Sequence, residues 1–290
     1  MSEGSGVPAG GAAAAGAASG AAAAGAAAAL VGALRGARVV DLEQPRFGGQ
    51  PALAQHGAGL QFALHRRHEP GLGPRTSSSG LLICSDHAGT HIDALSHQAV
   101  ACQLHGQVAV TPEVQTPTGF TRHGAEEIPP LLGAGVLLDV AGVVGPLAPR
   151  QTIGVAELEA TVAARGVEIP RGAVVLVRTG YGAHWDDPPL YLDAPGLDRD
   201  ASLWVAGHDP VAVGIDNARW DEGGVVDPTV GFNMPGHVLF LVEAGVYIIE
   251  NLDLEELAAL GASEFAFVCL PLKLQGATGS PVRPVALLAE

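Results

Sequence analysis

The segment Ser85–His97 reads SDHAGTHIDALSH and gathers three of the chain's 11 histidines and two aspartates into thirteen residues. His87, His91, Asp93 and His97 all stand at odd positions. A straight strand would point the four to one face but spread the first and last over about 33 Å, too far for one site. Gly89-Thr90 removes the difficulty, because glycine permits the sharp bend that folds His87 back toward His91, with Asp93 following on the face of His91. Two imidazoles and one carboxylate then converge with coordination positions left open. That is the ligand set of a catalytic divalent metal: three protein ligands plus water or substrate. The expected ligands are therefore His87, His91 and Asp93.

Such an ion lowers the pKa of a bound water from about 15.7 toward about 7 and polarises a carbonyl oxygen. A nearby imidazole, with an ordinary pKa of about 6.5, can accept the water proton and return it to a leaving nitrogen. His97 lies four residues beyond Asp93, close enough to line the pocket without serving as a ligand. Asp86 reads either as a partner that orients an imidazole or, more plainly, as a solvated carboxylate. Thr90 either fixes the turn or is an ordinary turn residue. Asp216, at the end of a strand, either enters the pocket or forms a turn. The segment Gly276–Arg283 either brings backbone N–H groups or Arg283 to the substrate carbonyl or is only a hairpin. Trp185, Trp204 and Trp220 read as core, with stacking on an aromatic substrate as the alternative.

The elements that must position this cluster are short. Apolar runs at Val39–Leu42, Leu81–Cys84, Val136–Val140, Ala173–Arg178, Val211–Ile215, Val246–Ile249, Phe265–Leu270 and Pro284–Leu288 lie between Gly and Pro breakers and predict strands. Leu81–Cys84 is read as a buried strand whose end delivers the histidines, since burying four titratable groups without mutual satisfaction costs on the order of several kcal/mol. Val155–Arg165, Asp198–Ala206 and Leu254–Leu260 carry helical patterns, the first ending at Gly166. The stretch from about 43 to 80 reads as an irregular surface excursion, of the kind that serves as a lid or subunit arm. Residues 1–34, nearly all Ala and Gly, read as a disordered tail, and 35–290 as a single domain.

The motif H-x-G-T-H-x-D-x-x-x-H at His87–His97 resembles the signature of the metal-dependent cyclase family, which includes kynurenine formamidase and isatin hydrolase. Supporting stretches are VVDLEQP (39–45), VRTGYGAHW (177–185), PGLDRDASLWVA (195–206), VGIDNARWD (213–221), GVYIIENLDLEEL (245–257) and PLKLQGATGSPVRPVAL (271–287). The chain departs from the family where Ala94 and Leu95 stand in place of a frequent proline. The resemblance implies an α/β fold of the swivelling β/β/α type, a mixed or barrel-like sheet with flanking helices. It implies hydrolysis of amide-like or lactone-like bonds, with His87, His91 and Asp93 on one ion and His97 as the acid–base residue. In dinuclear members Asp93 would bridge to a second ion held by His237 and Glu250. Glu250 suits this role at the end of an apolar strand. His237 reads alternatively as an ordinary helix-start residue before VLFLVEAG. The expected cofactor is Zn or Mn, one or two ions, and the expected assembly a homodimer or homotetramer.

Composition narrows the partners. With 15 Lys plus Arg against 30 Asp plus Glu, the formal net charge is −15, which repels phosphate backbones and anionic membranes. A small-molecule substrate is expected, with neither nucleic acid nor membrane. Three widely spaced cysteines, Cys84, Cys102 and Cys269, argue against a disulfide framework and for a reducing cytoplasm, and all three read as small core hydrophobes. Two other classes compete with the hydrolase. A non-haem iron oxygenase could use His91-x-Asp93 as part of a facial triad, and a non-catalytic protein could hold the same metal. No G-x-S-x-G elbow or nucleotide-binding glycine pattern is present.

Overall fold

The computed structural model describes residues 28–289 apart from 58 and 72. Most of the expected tail, residues 1–27, lies outside the described residues. Residues 28–35 form a helix where irregular chain was expected; Ala, Leu and Arg favour helix, and Gly32 alone interrupts them.

Nine strands build one mixed sheet: β1 (Ala37–Asp41), β2 (His91–Asp93), β3 (Leu131–Asp139), β4 (Val174–Arg178), β5 (Ala212–Ile215), β6 (Tyr247–Glu250), β7 (Glu264–Cys269), β8 (Gly279–Pro281) and β9 (Val285–Ala289). Their order is β1-β9-β7-β3-β4-β5-β6-β2-β8. The four central strands β3 to β6 run parallel. The flanking pairs are antiparallel. Alternation divides each central strand between two cores. Val136, Leu138, Val175, Val177, Val213, Ile215 and Ile248 face one, with Leu158, Val205, Trp220 and Phe240. Leu137, Val174, Leu176, Ala212 and Ile249 face the other, with Leu42, Ile92, Leu257 and Phe267. A sheet covered on both faces explains why these strands are almost wholly apolar. Helix α1 (Val155–Arg165) keeps the predicted bounds, and α2 (Arg199–Ala206) starts one residue later than predicted. The Asp198 carboxylate caps α2 by accepting from Ala201 N.

Three expectations need correction. The run Leu81–Cys84 is a strand, Ser79–Cys84, but it pairs only with Leu60–Arg66, and Leu81, Leu82 and Ile83 are exposed. The stretch 43–80 therefore carries an ordered hairpin. Of the three free cysteines only Cys269 is buried; Cys84 is half-buried and Cys102 exposed. Two sheet strands, β2 and β8, have no counterpart among the predicted elements. Among the described residues, no helix is long and apolar enough to cross a membrane.

Candidate metal centre

β2 sits between β6 and β8, and its register assembles the centre. His91 lies opposite Glu250 on β6 and Pro281 on β8; Asp93 lies opposite Ile248 and Gly279. His91 and Asp93 thus share one face and meet Glu250, the last residue of β6, while Ile92 turns to the other core. The carboxyl ends of parallel strands are where open α/β sheets ordinarily place their ligands.

The turn before β2 brings in His87. Gly89 adopts φ +63°, and a Cβ there would lie 2.8 Å from the Arg46 guanidinium. That guanidinium clamps the turn by donating to the carbonyls of Ala88 and Thr90. Thr90 pins it from inside, its hydroxyl donating to Asn251 O and accepting from Gln44 N at 2.9 Å. His87 Nδ1 then stands 2.9 Å from Asp93 Oδ1, and His91 Nε2 stands 3.4 Å from the same oxygen and 3.6 Å from Glu250 Oε2.

Hydrogen bonds on the far side of each ring decide which nitrogen is free. His91 Nδ1–H donates to Gly89 O at 2.8 Å, leaving Nε2 as a lone pair. The Thr278 hydroxyl donates to Asp86 Oδ2 at 2.9 Å, so it accepts from His87 Nε2–H at 2.9 Å, and His87 Nδ1 carries the lone pair. His237 Nδ1–H donates to Asp221 Oδ2 at 2.6 Å, while its Nε2 lies 3.2 Å from Glu250 Oε1 and 3.8 Å from Asp93 Oδ2. The three imidazoles are oriented by partners behind them, an arrangement suited to holding a metal.

His87 Nδ1, His91 Nε2 and both oxygens of Asp93 are buried without a hydrogen-bond partner. A ring nitrogen 2.9 Å from a carboxylate oxygen calls for positive charge at the contact, which a bound ion or a proton on the imidazole supplies. The donor set of imidazoles and carboxylates suits a divalent transition ion. Ligand-capable atoms of His87, Asp93 and His97 lie within 4.8 Å of one another, as do those of His91, Asp93 and Glu250. Asp93 belongs to both groups, and His97 stands as close to it as a ligand would.

Charge accounts for the titration of the site. Burial pushes Asp93 up, but the imidazoles of His97, His87 and His91 outweigh it and hold the carboxyl well below the usual range. Burial pushes His91 down, yet Asp93 and Glu250 raise it; His237 is raised well above its ordinary value against burial by Asp221 and Glu250. For His97 burial prevails, with His87, His237 and His91 adding to it against Asp93, and its pKa falls to about 3.

All six expected residues therefore meet. His237 ends the short helix Pro235–His237, and its Nε2 lies 3.2 Å from Glu250 Oε1. Asp86, read as solvated, is half-buried and bonded to Thr278 through both backbone and hydroxyl. Asp216 stays out of the site, accepting from Thr179 and from Gly180 N in the turn after β4; burial still pushes it up to about 6. Arg283 points away and pairs with Asp41. The tryptophans are structural: Trp185 and Trp220 are buried and Trp204 packs on the core. Asp221, Thr278 and His56 were missed. Only Thr278 and Asp221 lay in noted stretches, and nothing local marks their roles. His56 reaches the centre from the excursion, its ring 4.7 Å from that of His87.

The Cyclase family model matches residues 40–222, more than half of the chain. The chain belongs to the cyclase family. A solved cyclase structure covers 89% of this chain and 89% of its own, at TM-score 0.77 and 25% identity. Isatin hydrolase A from Ralstonia solanacearum covers 90% of this chain and 96% of its own, at TM-score 0.70 and 26% identity. Kynurenine formamidase from Bacillus thuringiensis subsp. konkukian is 28% identical over 206 residues, 71% of this chain and 78% of that protein. This cyclase-family chain is a hydrolase, with the α/β architecture of those structures.

Proposed function

We propose that the protein is a metal-dependent hydrolase that cleaves a C–N bond of an amide, imide or aryl formamide, or the C–O bond of a lactone, in a small molecule. The observation that carries this reading is the approach of His87 Nδ1 and His91 Nε2 to the same Asp93 oxygen, at 2.9 and 3.4 Å, all buried and without a hydrogen-bond partner, with His97 in one ligand group with Asp93 and Glu250 in the other. Kynurenine formamidase and isatin hydrolase, by their names, support the bond class.

His87, His91 and Asp93 would hold the ion, with His237 and Glu250 completing a second position that shares Asp93. A divalent ion, Zn or Mn, supplies the Lewis acidity that brings water toward a pKa of about 7 and polarises the scissile carbonyl. His97 does the proton work. Neutral at physiological pH, it accepts the proton of the attacking water as the O–H bond breaks and the C–O bond forms. The resulting imidazolium returns the proton to the leaving nitrogen or oxygen as the C–N or C–O bond breaks. The products are a carboxylate and an amine from an amide or aryl formamide, a carboxylate and an amide from an imide, or a hydroxy acid from a lactone.

The test is elemental analysis of the purified protein, followed by assay of N-formyl anilides, cyclic imides and lactones with and without chelator. Turnover is expected to vanish with the metal and return on adding Zn²⁺ or Mn²⁺. Hydrolysis that survives complete removal of metal would contradict the mechanism. His97→Ala is expected to lower kcat by about 10²- to 10⁴-fold while retaining the metal.

A further inference from the structure

The space between residues 51–56 and the centre is too small for a substrate. His87, His91 and Glu250 form its floor and Pro51, Leu53 and His56 its roof, and they enclose about 10 Å³. That is room for about one water, whereas small-molecule sites run to about 300–1,000 Å³. On this side of the centre, something must move before a carbonyl compound can enter.

The roof is built to be that part. Residues on either side of it are fixed. Before it, Arg46 is bonded to the carbonyls of Ala88, Thr90 and Val282, and Trp185 Nε1 donates to Pro45 O at 2.7 Å. After it, Gly59 O accepts from Ser85 N. Between these posts the hydrogen bonds found among the described residues of 51–57 are internal, His56 N to Leu53 O and Gly57 N to Ala54 O. The strap is held at its start by the buried Gln50 and Pro51 and, beyond them, by Leu53, packed against Trp185, Tyr191 and Ala218. Gly49 (φ +91°) and Gly57 (φ +76°) bound the strap, and neither has a neighbour within 4 Å of where a Cβ would stand. Both are free to change backbone conformation. At its tip the His56 ring stacks on His87 at 4.7 Å and 29°, and lies 6.0 Å from the His97 ring.

We propose that residues 50–57 are a hinged roof over the metal centre, lifting at Gly49 and Gly57 to admit substrate and closing with His56 as the plug. The closed roof covers the His87 side of the centre; the open one exposes it. Leu53 is the latch and His56 a positioning residue. This inference rests on the metal reading above, and its test is arranged to separate the two.

The test is the rate at which excess EDTA strips Zn²⁺ or Mn²⁺ from the loaded, full-length protein, compared with Leu53→Ala and His56→Ala. Both variants are expected to start with the wild-type metal content and to lose it about tenfold faster, since each weakens only the closed state. Unchanged stripping rates in both variants would overturn the roof. Lowered initial metal content in His56→Ala would also overturn it, by making His56 a ligand. If the wild type takes up no metal, the metal reading fails, and hydrogen exchange then decides the roof separately. The amides of His56 and Gly57 are expected to exchange far faster than that of Val175 in β4, and equal protection would sink the roof.

Discussion

His237 and His91 donate from Nδ1, to Asp221 and Gly89, and keep Nε2 for the centre, whereas His87 donates from Nε2 to Thr278 and keeps Nδ1. Each ring's tautomer is thereby chosen before any ion arrives. Asp221→Asn can accept only through its amide oxygen and leaves a weaker partner for His237. It is expected to lower metal affinity about 10- to 100-fold with the fold retained, as titration calorimetry and circular dichroism would show. The raised His91 and His237 also fix a pH dependence. In the metal-free chain these protonated imidazoles stabilise the fold below about pH 6.5, and that contribution is lost as pH rises through their folded values. Metal must displace those protons. Metal binding is expected to weaken as pH falls from 8 to 6 and to release protons, a release visible as a buffer-dependent enthalpy; an affinity independent of pH would contradict it.

At the scale of elements, the centre depends on two three-residue strands. A Cβ at Gly279 would lie 2.8 Å from the His87 ring, so Gly279→Ala is expected to displace His87 and cost both metal and melting temperature, as thermal scans with and without Zn²⁺ would report. Neither β2 nor β8 was legible in the sequence, because three residues are too few to show an alternation. The ligands themselves were legible, since His87, His91, Asp93 and His97 cluster within eleven residues. How they meet Glu250 was not, because the register of β2 against β6 joins residues more than 150 positions apart. Helix α1 could be read in full from its local pattern and its stop at Gly166. Leu81–Cys84 was misread as buried for the converse reason. An apolar run marks a surface that needs covering and does not say what covers it.

At the scale of the whole molecule, that same hairpin exposes Phe62, Leu64, Leu81, Leu82 and Ile83. A two-stranded hairpin is marginal by itself, and its apolar side chains lie on both faces, Phe62, Leu64 and Leu82 on one and Leu81 and Ile83 on the other, exposed surface of a kind monomers rarely leave bare. We propose that a second copy of this chain covers it, in a homodimer or homotetramer. Light scattering after gel filtration is expected to give a multiple of 29.3 kDa, and Leu82→Glu to shift the population toward monomer. A wild-type protein that stays monomeric at micromolar concentration would refute this.

The insertion of β2 between β6 and β8 also sets an order of events during synthesis. Residues 91–93 find one neighbour at 247–250 and the other at 279–281. A ribosome that has made every histidine of the centre has therefore not yet made the strand that closes it, nor the threonine that aims His87. Ion capture belongs to the finished polypeptide, and nascent chains arrested before Thr278 should leave the ribosome's exit tunnel with the ligands exposed but unable to grip a metal.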